Sequence, residues 1–274
     1  MGLIQKTVID ANKKTISLGI REIIAYRDLF YTLAWRDLRV RYAQTALGLL
    51  WAFIQPLATL LIFTLIFGRA IKVETGGIPY PVFALSGMLA WSYFAYVMGQ
   101  SGQSVIGAQE MVKKVYFPRL VIPLSKAVTG FVDFLVALVF LLVLMVYYQI
   151  APSKGLVWLP LFFIMNVLAA LGVGIWLSAL TVRYRDFQHV VPFLVQIGLY
   201  ATPIAYPVTM IPERYQWLYH LNPMAGVVEG YRWSILGETG LTVYSWLSFG
   251  LIGVIFFTGL LYFKSVEKIM ADVV

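Results

Sequence analysis

Residues 155–182 read GLVWLPLFFIMNVLAALGVGIWLSALTV and contain no charged side chain. An α-helix rises about 1.5 Å per residue, so about 20 apolar residues cross the roughly 30 Å hydrocarbon core of a bilayer. The stretch is apolar on every face, which is typical of a helix buried in lipid or in a large core. It therefore predicts a transmembrane helix.

Five further stretches are equally free of charge: residues 42–68, 75–109, 134–153, 187–212 and 239–263. With the first stretch they predict six transmembrane helices, at 47–68, 82–104, 128–150, 157–181, 188–210 and 243–263. The strands of a membrane barrel would alternate apolar and polar residues, so the predicted fold class is all-α. We expect an N-terminal region 1–46, a six-helix membrane domain 47–264 and a tail 265–274.

The composition excludes a soluble globular protein. Of the 274 residues, 60% are hydrophobic and 12% are charged, whereas an average soluble domain has about 25% charged residues. The chain has no cysteine, which excludes disulfides and thiolate metal sites. Nor do its two histidines have the HExxH spacing of a metalloprotease, so we predict no metal site and no catalytic residue.

The positive charges indicate the orientation in the membrane. With a cytoplasmic N-terminus, residues 1–46, 105–127, 182–187 and 264–274 lie on one side and hold 8, 4, 2 and 2 Lys or Arg, 16 of the 21 in the chain. Lysine and arginine are enriched in cytoplasmic loops, so both termini are predicted to be cytoplasmic. The net charge of +8 then reflects orientation and attraction to anionic head groups, not nucleic-acid binding.

Residues 21–44 combine apolar residues at helical spacing with several arginines, among them Arg36, Arg39 and Arg41. This pattern predicts an amphipathic helix that lies in the membrane interface. The alternative is a soluble cytoplasmic helix packed on a partner. Further along, prolines at 203, 207, 212 and 223 interrupt residues 205–238 and their surroundings. We interpret that segment as two short re-entrant helices on the outer side, and an ordinary surface loop is the alternative.

Two classes of function lack their usual residues. No predicted helix centre holds an ionisable side chain, which argues against an ion-coupled transporter. Asp133 and His189 come closest, but both lie near helix ends. None of the glycines is followed by lysine, so the chain has no P-loop and does not hydrolyse nucleotide itself.

Uncharged amides and aromatic residues follow helical spacing on three of the predicted helices. Such faces suit a hydrated, neutral cargo such as a glycan, whose hydroxyls need hydrogen-bond partners and whose C–H faces stack on rings. The alternative is ordinary helix packing, with aromatics at the interfaces and glutamines bridging helices. The candidate channel residues are Trp51, Gln55, Tyr93, Tyr96, Gln100, Gln196 and Tyr200.

Several motifs together resemble the permease subunit of type 2 ABC exporters. They are RDLRVRYAQTALGLLW (36–51), VYFPR (115–119), VRYRD (182–186), YATPIAYP (200–207) and LNPM (221–224). The similarity spans roughly residues 27–264 and points to the polysaccharide branch, which exports lipid-linked O-antigen and includes exporters of capsule and wall teichoic acid.

The resemblance implies a homodimer in the cell inner membrane, flanked by two copies of a separate ATPase that binds ATP and Mg²⁺. It implies an interface helix at the N-terminus and gate helices between transmembrane helices 5 and 6. It also places ATPase coupling at residues 109–117 and 183–188. The expected coupling residues are Glu110, Lys113, Lys114, Tyr116, Arg183, Tyr184, Arg185 and Asp186, and we expect the second segment to be a short coupling helix.

Other functions stay open at this point. Arg36, Arg39 and Arg41 are candidates to bind the pyrophosphate head of the lipid-linked cargo, and they could equally hold phospholipid. A type 2 ABC exporter of a drug or small lipid is one alternative. A membrane-embedded glycosyl or acyl transferase is another, with Asp133 or His189 as its base.

Overall fold

The computed structural model describes residues 20–43, 48–237, 241–267 and 270. These residues form helices, turns and loops, and no strand occurs among them, so the all-α prediction is confirmed. Two helices precede the bundle: α1 (Ile20–Ala25) and α2 (Arg27–Tyr42). They cover most of the predicted amphipathic segment, with a break at Tyr26.

The bundle contains helices α3 to α11. They are α3 (Trp51–Phe63, continued by a π-helix, Thr64–Ala70), α4 (Tyr80–Gly107), α5 (Gln109–Lys114), α6 (Val121–Tyr147), α7 (Leu159–Arg183), α8 (Phe187–Ala201), α9 (Glu213–Tyr219), α10 (Pro223–Leu236) and α11 (Ser245–Glu267). Short 3₁₀ turns lie at Gly48–Leu50, Lys154–Trp158 and Val208–Met210.

Within the described ranges, five helices are long and apolar enough to cross a membrane: Trp51–Ala70, Tyr80–Gly107, Val121–Tyr147, Lys154–Arg183 and Ser245–Glu267. The remaining predicted span, 188–210, is represented by α8, which has 15 residues and is about 22 Å long. It ends because Thr202 precedes Pro203, and steric conflict with a following proline ring disfavours the helical conformation. Thr202 is accordingly extended, at φ −101° and ψ 143°.

Helix α6 begins earlier than the predicted 128, at Val121. Lys126 lies just before the predicted start, and a charge inside an apolar helix is costly. In the structure the Lys126 ammonium is paired with Asp37 of α2, and this partner offsets the loss of hydration. A contact between elements distant in sequence therefore makes this charge tolerable near the start of α6.

Helix α4 is the centre of the fold and is buried over most of its length. It packs against α6, α7, α8 and α10, while α7 packs along α11. The α7–α11 contact is close because Gly172 and Gly259 face each other: a Cβ on Gly259 would lie 2.8 Å from the Gly172 carbonyl oxygen. Small residues bring helix backbones together in this way in membrane proteins.

Candidate functional site

A pocket of about 290 Å³ lies where α2, α3, α4, α6 and α8 meet, and we call it the polar pocket. Its α4 wall follows helical spacing, with Met88, Trp91, Ser92, Ala95 and Tyr96 on one face. The other walls supply Arg41, Ala52, Gln55, Pro56, Thr59, Asp133, Ala137 and Leu199. The structure thus brings together two predicted channel residues, Gln55 and Tyr96, and one predicted head-group residue, Arg41.

Arg41 is held by protein groups inside this pocket. Its guanidinium Nη2 lies 2.7 Å from the Asp133 carboxylate, and its central carbon lies 4.3 Å from the centre of the Tyr96 ring. The Tyr42 hydroxyl donates a second hydrogen bond to Asp133. Burial lowers the pKa of Arg41, but Asp133 and the neighbouring tyrosines more than offset this, so the pKa is raised and the side chain stays charged. The charge is therefore locally neutralised.

A second ion pair fixes α2 against α6. Asp37 lies one turn before Arg41, and its carboxylate accepts a hydrogen bond from the Lys126 ammonium. The same carboxylate lies 3.0 Å from the Arg36 guanidinium. Two of the three predicted head-group arginines thus have carboxylate partners. Arg39 is exposed and makes no ion pair with any residue that the structure describes, which leaves it available to an outside anion.

The remaining channel candidates divide into exposed and buried side chains. Trp51 lies on the exposed face of α3, Gln100 is exposed on α4, and Gln196 and Tyr200 are exposed on α8. Helices α4 and α8 lie side by side, since a Cβ on Gly99 would stand 3.9 Å from Val195. Side chains on this part of the bundle are accessible from outside the single chain.

Tyr93 lies elsewhere. It is 2% exposed, its hydroxyl donates to the Ala127 carbonyl at 3.3 Å, and its ring packs on Phe163 at 5.0 Å and on Phe134 at 6.1 Å. This position in the core between α4, α6 and α7 corresponds to the helix-packing alternative of the sequence analysis.

The first predicted coupling segment contains a helix of its own, α5. Glu110 and Lys114, one helical turn apart, form an exposed ion pair with 3.0 Å between the charged atoms. Lys113 lies in the last turn of the same helix. Tyr116, just beyond it, donates to the Glu22 carboxylate of α1 at 3.3 Å. Partial burial raises the pKa of Tyr116 most, and the nearby Glu22 carboxylate raises it further. The segment is therefore attached to the N-terminal helices.

The second predicted segment is a turn and not a separate helix. Helix α7 ends at Arg183 and α8 begins at Phe187, so Tyr184, Arg185 and Asp186 connect them and are exposed. The expectation of a second coupling helix is wrong, because the extended conformation of Tyr184 leaves too few residues for a helical turn. The Arg183 guanidinium lies 5.5 Å from the Tyr184 ring.

The two segments lie at the same end of the bundle. The Gln103 amide of α4 donates to the Gln188 carbonyl of α8 at 3.4 Å, so the α4–α5 junction is next to the α7–α8 turn. Arg119, after α5, donates its backbone N–H to Glu267 at the end of α11. The structure thus gathers on one face several segments that the charge distribution assigned to the cytoplasm.

At the opposite end, α9 and α10 form a hairpin with buried polar groups that sequence reasoning missed. The His220 Nε2 lies 3.1 Å from the Glu229 carboxylate, and Ser245 of α11 donates to the same carboxylate at 2.6 Å. Burial lowers the pKa of His220, but the contacts with Glu229 and the Gln216 carbonyl outweigh this and raise it.

Arg232 of α10 ties the hairpin to the central helix. It is buried, donates to the Ile204 carbonyl at 2.7 Å and lies 3.6 Å from the centre of the Phe83 ring. Tyr80 of α4 donates to the Ala205 carbonyl at 2.9 Å. The proline-rich segment after α8 is therefore held in place by side chains from both neighbouring helices.

Trp91, which borders the polar pocket, was also missed. The signal was present, because Trp91 lies one helical turn before Ala95, on the same α4 face as Met88 and Tyr96. The Arg41–Asp133 pair had no such signal, since its members are far apart in the sequence. As to metals, no group of three or more potential ligands occurs among the residues that the structure describes.

Comparisons with known proteins place these features in a family. The profile of the ABC-2 type transporter family matches residues 28–236. An O-antigen export system permease protein, RfbA, of Klebsiella pneumoniae is 34% identical over 235 residues, 85% of this chain and 87% of the relative. The RfbA of Myxococcus xanthus is 30% identical over 78% of this chain and 82% of the relative.

A polysialic acid transport protein, KpsM, of Escherichia coli is 30% identical over 71% of this chain and 76% of the relative. These matches confirm the resemblance drawn from the motifs. The helical bundle with its candidate membrane spans, the family profile and the near full-length relatives agree: the chain belongs to the ABC-2 type transporter family.

Proposed function

We propose that this chain is the transmembrane permease of an exporter that carries a lipid-linked, O-antigen-like polysaccharide across the cytoplasmic membrane. The names of the relatives support this cargo class. The polar pocket is the observation that carries the proposal. Gln55, Thr59 and Ser92 offer uncharged hydrogen-bonding groups beside the Trp91 and Tyr96 rings, a combination suited to sugar hydroxyls and C–H faces.

The neutralised charge in the pocket fits the same cargo. A free arginine or aspartate would bind one charged group tightly and hold it, whereas a passing chain of sugars needs many weak contacts. The 2.7 Å pair of Arg41 and Asp133 satisfies both charges internally. Capsule or wall teichoic acid remains the alternative cargo within this branch, and a drug or small lipid the alternative beyond it.

A homodimer would complete the channel. Val191 is the one buried residue of α8 in the described chain, and Phe193 and Tyr200, which do not line the apolar cavity beside α8, are exposed. Helix α3 is likewise mostly exposed. We assign these faces to the contact between two copies. The path between them is lined by Trp51, Gln55, Tyr96, Gln100, Gln196 and Tyr200. Tyr93 is not part of this path, because its side chain is buried within the core of each copy.

In this proposal six segments cross the membrane, and α8 together with the bends after it makes the fifth crossing. The hairpin of α9 and α10 is re-entrant from the outer side, with the backbone of α10 covered by α4, α7 and α11. Both termini are cytoplasmic, and α1 and α2 lie at the inner membrane surface. Arg39 is then the arginine best placed to meet an anionic head group.

Energy would come from two copies of a separate ATPase that binds ATP and Mg²⁺. The shared face of α5 and the α7–α8 turn supports this docking site, with Lys113, Lys114, Arg185 and Asp186 as exposed charged contacts. Movement of the ATPase dimer would pass to the bundle as rigid-body displacement. This chain supplies no catalytic group of its own.

A transferase is less well supported. Asp133 is bound by Arg41 and Tyr42, and a carboxylate so engaged is a poor general base. His189 is exposed at the start of α8. It does not line the polar pocket.

The test is to purify the chain with its ATPase, reconstitute both in liposomes, and measure ATP hydrolysis with and without lipid-linked glycan. We expect stimulation by the glycan, reduced in Tyr96→Ala because the pocket loses its ring. Tyr93→Ala should instead lower thermal stability. Equal hydrolysis with and without every lipid-linked glycan, or stimulation by a small drug alone, would contradict the proposal.

A further inference from the structure

An apolar groove of about 600 Å³ opens on the side of the bundle, between α4, α7, α8, α9 and α11. Its walls include Trp91, Leu194, Ile197, Gly198, Leu218 and Ile255. It exists because α8 stops at Ala201 and α9 lies across its end. A cavity of this volume is within the range of small-molecule sites, about 300–1,000 Å³.

The groove is suited to hydrocarbon and not to water. Cavities lined by apolar side chains stay dry because water finds too few hydrogen-bond partners there. Three of the helices that form it, α4, α7 and α11, belong to candidate membrane spans, so the groove lies at the depth that lipid chains occupy. A flexible hydrocarbon chain is therefore its natural occupant.

The groove shares a wall with the polar pocket. Trp91 borders both cavities, and α8 separates them: Leu199 faces the polar pocket, while Ile197 and Gly198 face the groove. The partition is thin, because a Cβ on Gly198 would lie 2.4 Å from the Trp91 ring. Two compartments of different polarity thus border one indole ring.

We propose that the apolar groove holds the first part of the hydrocarbon tail of a lipid-linked glycan while sugars of the same molecule contact the polar pocket. The inference rests on the proposed function and adds a site for the lipid end of the cargo. A molecule with a long single tail and a glycan head occupies both compartments at once. A bilayer phospholipid fills the groove but has no sugar chain to place beyond Trp91.

The experiment uses the complete complex of permease and ATPase in liposomes of phosphatidylethanolamine and phosphatidylglycerol. A photoreactive phenylalanine analogue replaces Ile197, which is 49% exposed in the groove. The matched control places the same analogue at Val139 of α6, which is 60% exposed. Val139 borders a different apolar cavity, of about 410 Å³, that has no lining residue in common with the polar pocket.

Two radiolabelled probes are compared, a polyprenyl pyrophosphate disaccharide and phosphatidylethanolamine. We expect the disaccharide probe to label position 197 at least about fivefold more than position 139, whereas phosphatidylethanolamine labels both alike. Equal labelling of both positions by the disaccharide probe, or labelling of position 197 by phospholipid only, would overturn the assignment.

The same preparations separate this inference from the proposed function. If the disaccharide probe stimulates ATP hydrolysis by the wild-type complex but labels position 197 no better than position 139, the groove assignment fails and the proposed function stands. If no polyprenyl-linked glycan stimulates hydrolysis, the proposed function fails whatever the labelling.

A glycine substitution tests the partition itself. Gly198→Ala pushes the added methyl group into the Trp91 ring, so we expect selective labelling at position 197 to fall by about threefold or more. Gly253→Ala on α11 is the control, because a Cβ there meets nothing within 4 Å. Unchanged selectivity in a folded Gly198→Ala complex would argue against a shared wall, and the Ile197 experiment decides the tail site if that variant does not fold.

Discussion

Arg41 joins the N-terminal helices to the membrane bundle at the level of a single side chain. It contacts Asp133 of α6 and the Tyr96 ring of α4, so three elements depend on one guanidinium. A charge withdrawn from water is costly unless a partner compensates it. The side chains are 32% and 17% exposed, which places the pair between a surface salt bridge and a fully buried one.

Removing both members of this pair should therefore cost less than the two single removals added together. We expect Arg41→Ala or Asp133→Ala to lower the free energy of unfolding by about 1–3 kcal/mol, because each leaves the other charge without its partner. The double variant should lose less than the sum of the single losses. Thermal unfolding of the purified complex in detergent measures all three variants.

Arg39→Ala is the matched control, since Arg39 is exposed on the same helix and an exposed charge contributes little to stability. Additive effects of the Arg41 and Asp133 substitutions would mean that the two side chains do not stabilise each other.

At the scale of elements, the α7–α8 turn and α5 together form one exposed face of the bundle. In the double variant Arg185→Glu with Asp186→Ala, the charges on this face are changed without touching the helices that pack in the bundle. We expect normal insertion and residual ATP hydrolysis, but a loss of at least about tenfold in export per ATP, since charge complementarity sets the register of docking. Export and hydrolysis are measured together in liposomes.

Lys154→Glu provides the control, because Lys154 is exposed near the start of α7, at the other end of that helix. Export per ATP at the wild-type value in the Arg185 and Asp186 variant would remove the turn from the coupling surface.

The α9–α10 hairpin should respond to pH. Both ring nitrogens of His220 face acceptors, the Gln216 carbonyl at 2.7 Å and Glu229 at 3.1 Å, so the protonated ring is favoured and its pKa is raised above the ordinary value of 6.5. The stabilisation from this contact is then complete below pH 6.5 and is lost as the pH rises through the raised pKa.

Amide hydrogen exchange in α9 checks this expectation, with the opening free energy falling as the medium becomes alkaline. Glu229→Gln should remove most of the pH dependence, because the neutral amide no longer favours the protonated ring. A pH dependence that is unchanged in Glu229→Gln would show that another group controls the hairpin.

At the scale of the whole molecule, the exposed face of α8 predicts a second copy beside it. The chain contains no cysteine, so a single introduced thiol reports on its own position. Phe193→Cys should be cross-linked between two copies in membranes by a short bifunctional thiol reagent. Val143→Cys, equally exposed on α6, should give little dimer, and equal cross-linking at both positions would contradict the proposed dimer face.

The fold class was predictable because uncharged apolar runs of about 20 residues are typical of membrane-spanning helices. The helix boundaries were less predictable. Helix α6 starts before Lys126, whose charge is paired with Asp37, and α8 ends just before Pro203. In the candidate site, Gln55 and Tyr96 were found through helical spacing. The partner of Arg41 was not, because Asp133 is a neighbour in space and not in sequence, and spacing could not tell that Tyr93 points into the core.

The short length of α8 has a consequence for the membrane itself. The helical part of the fifth crossing, α8, is about 22 Å long in a hydrocarbon layer of about 30 Å, and a bilayer relieves such a hydrophobic mismatch by thinning locally. Beside α8 the distance that a pyrophosphate head group must travel through low-dielectric material would thus be reduced before any nucleotide is hydrolysed. Export should then slow as the acyl chains of the host bilayer are lengthened, so the lipid would be part of the energetics of transport.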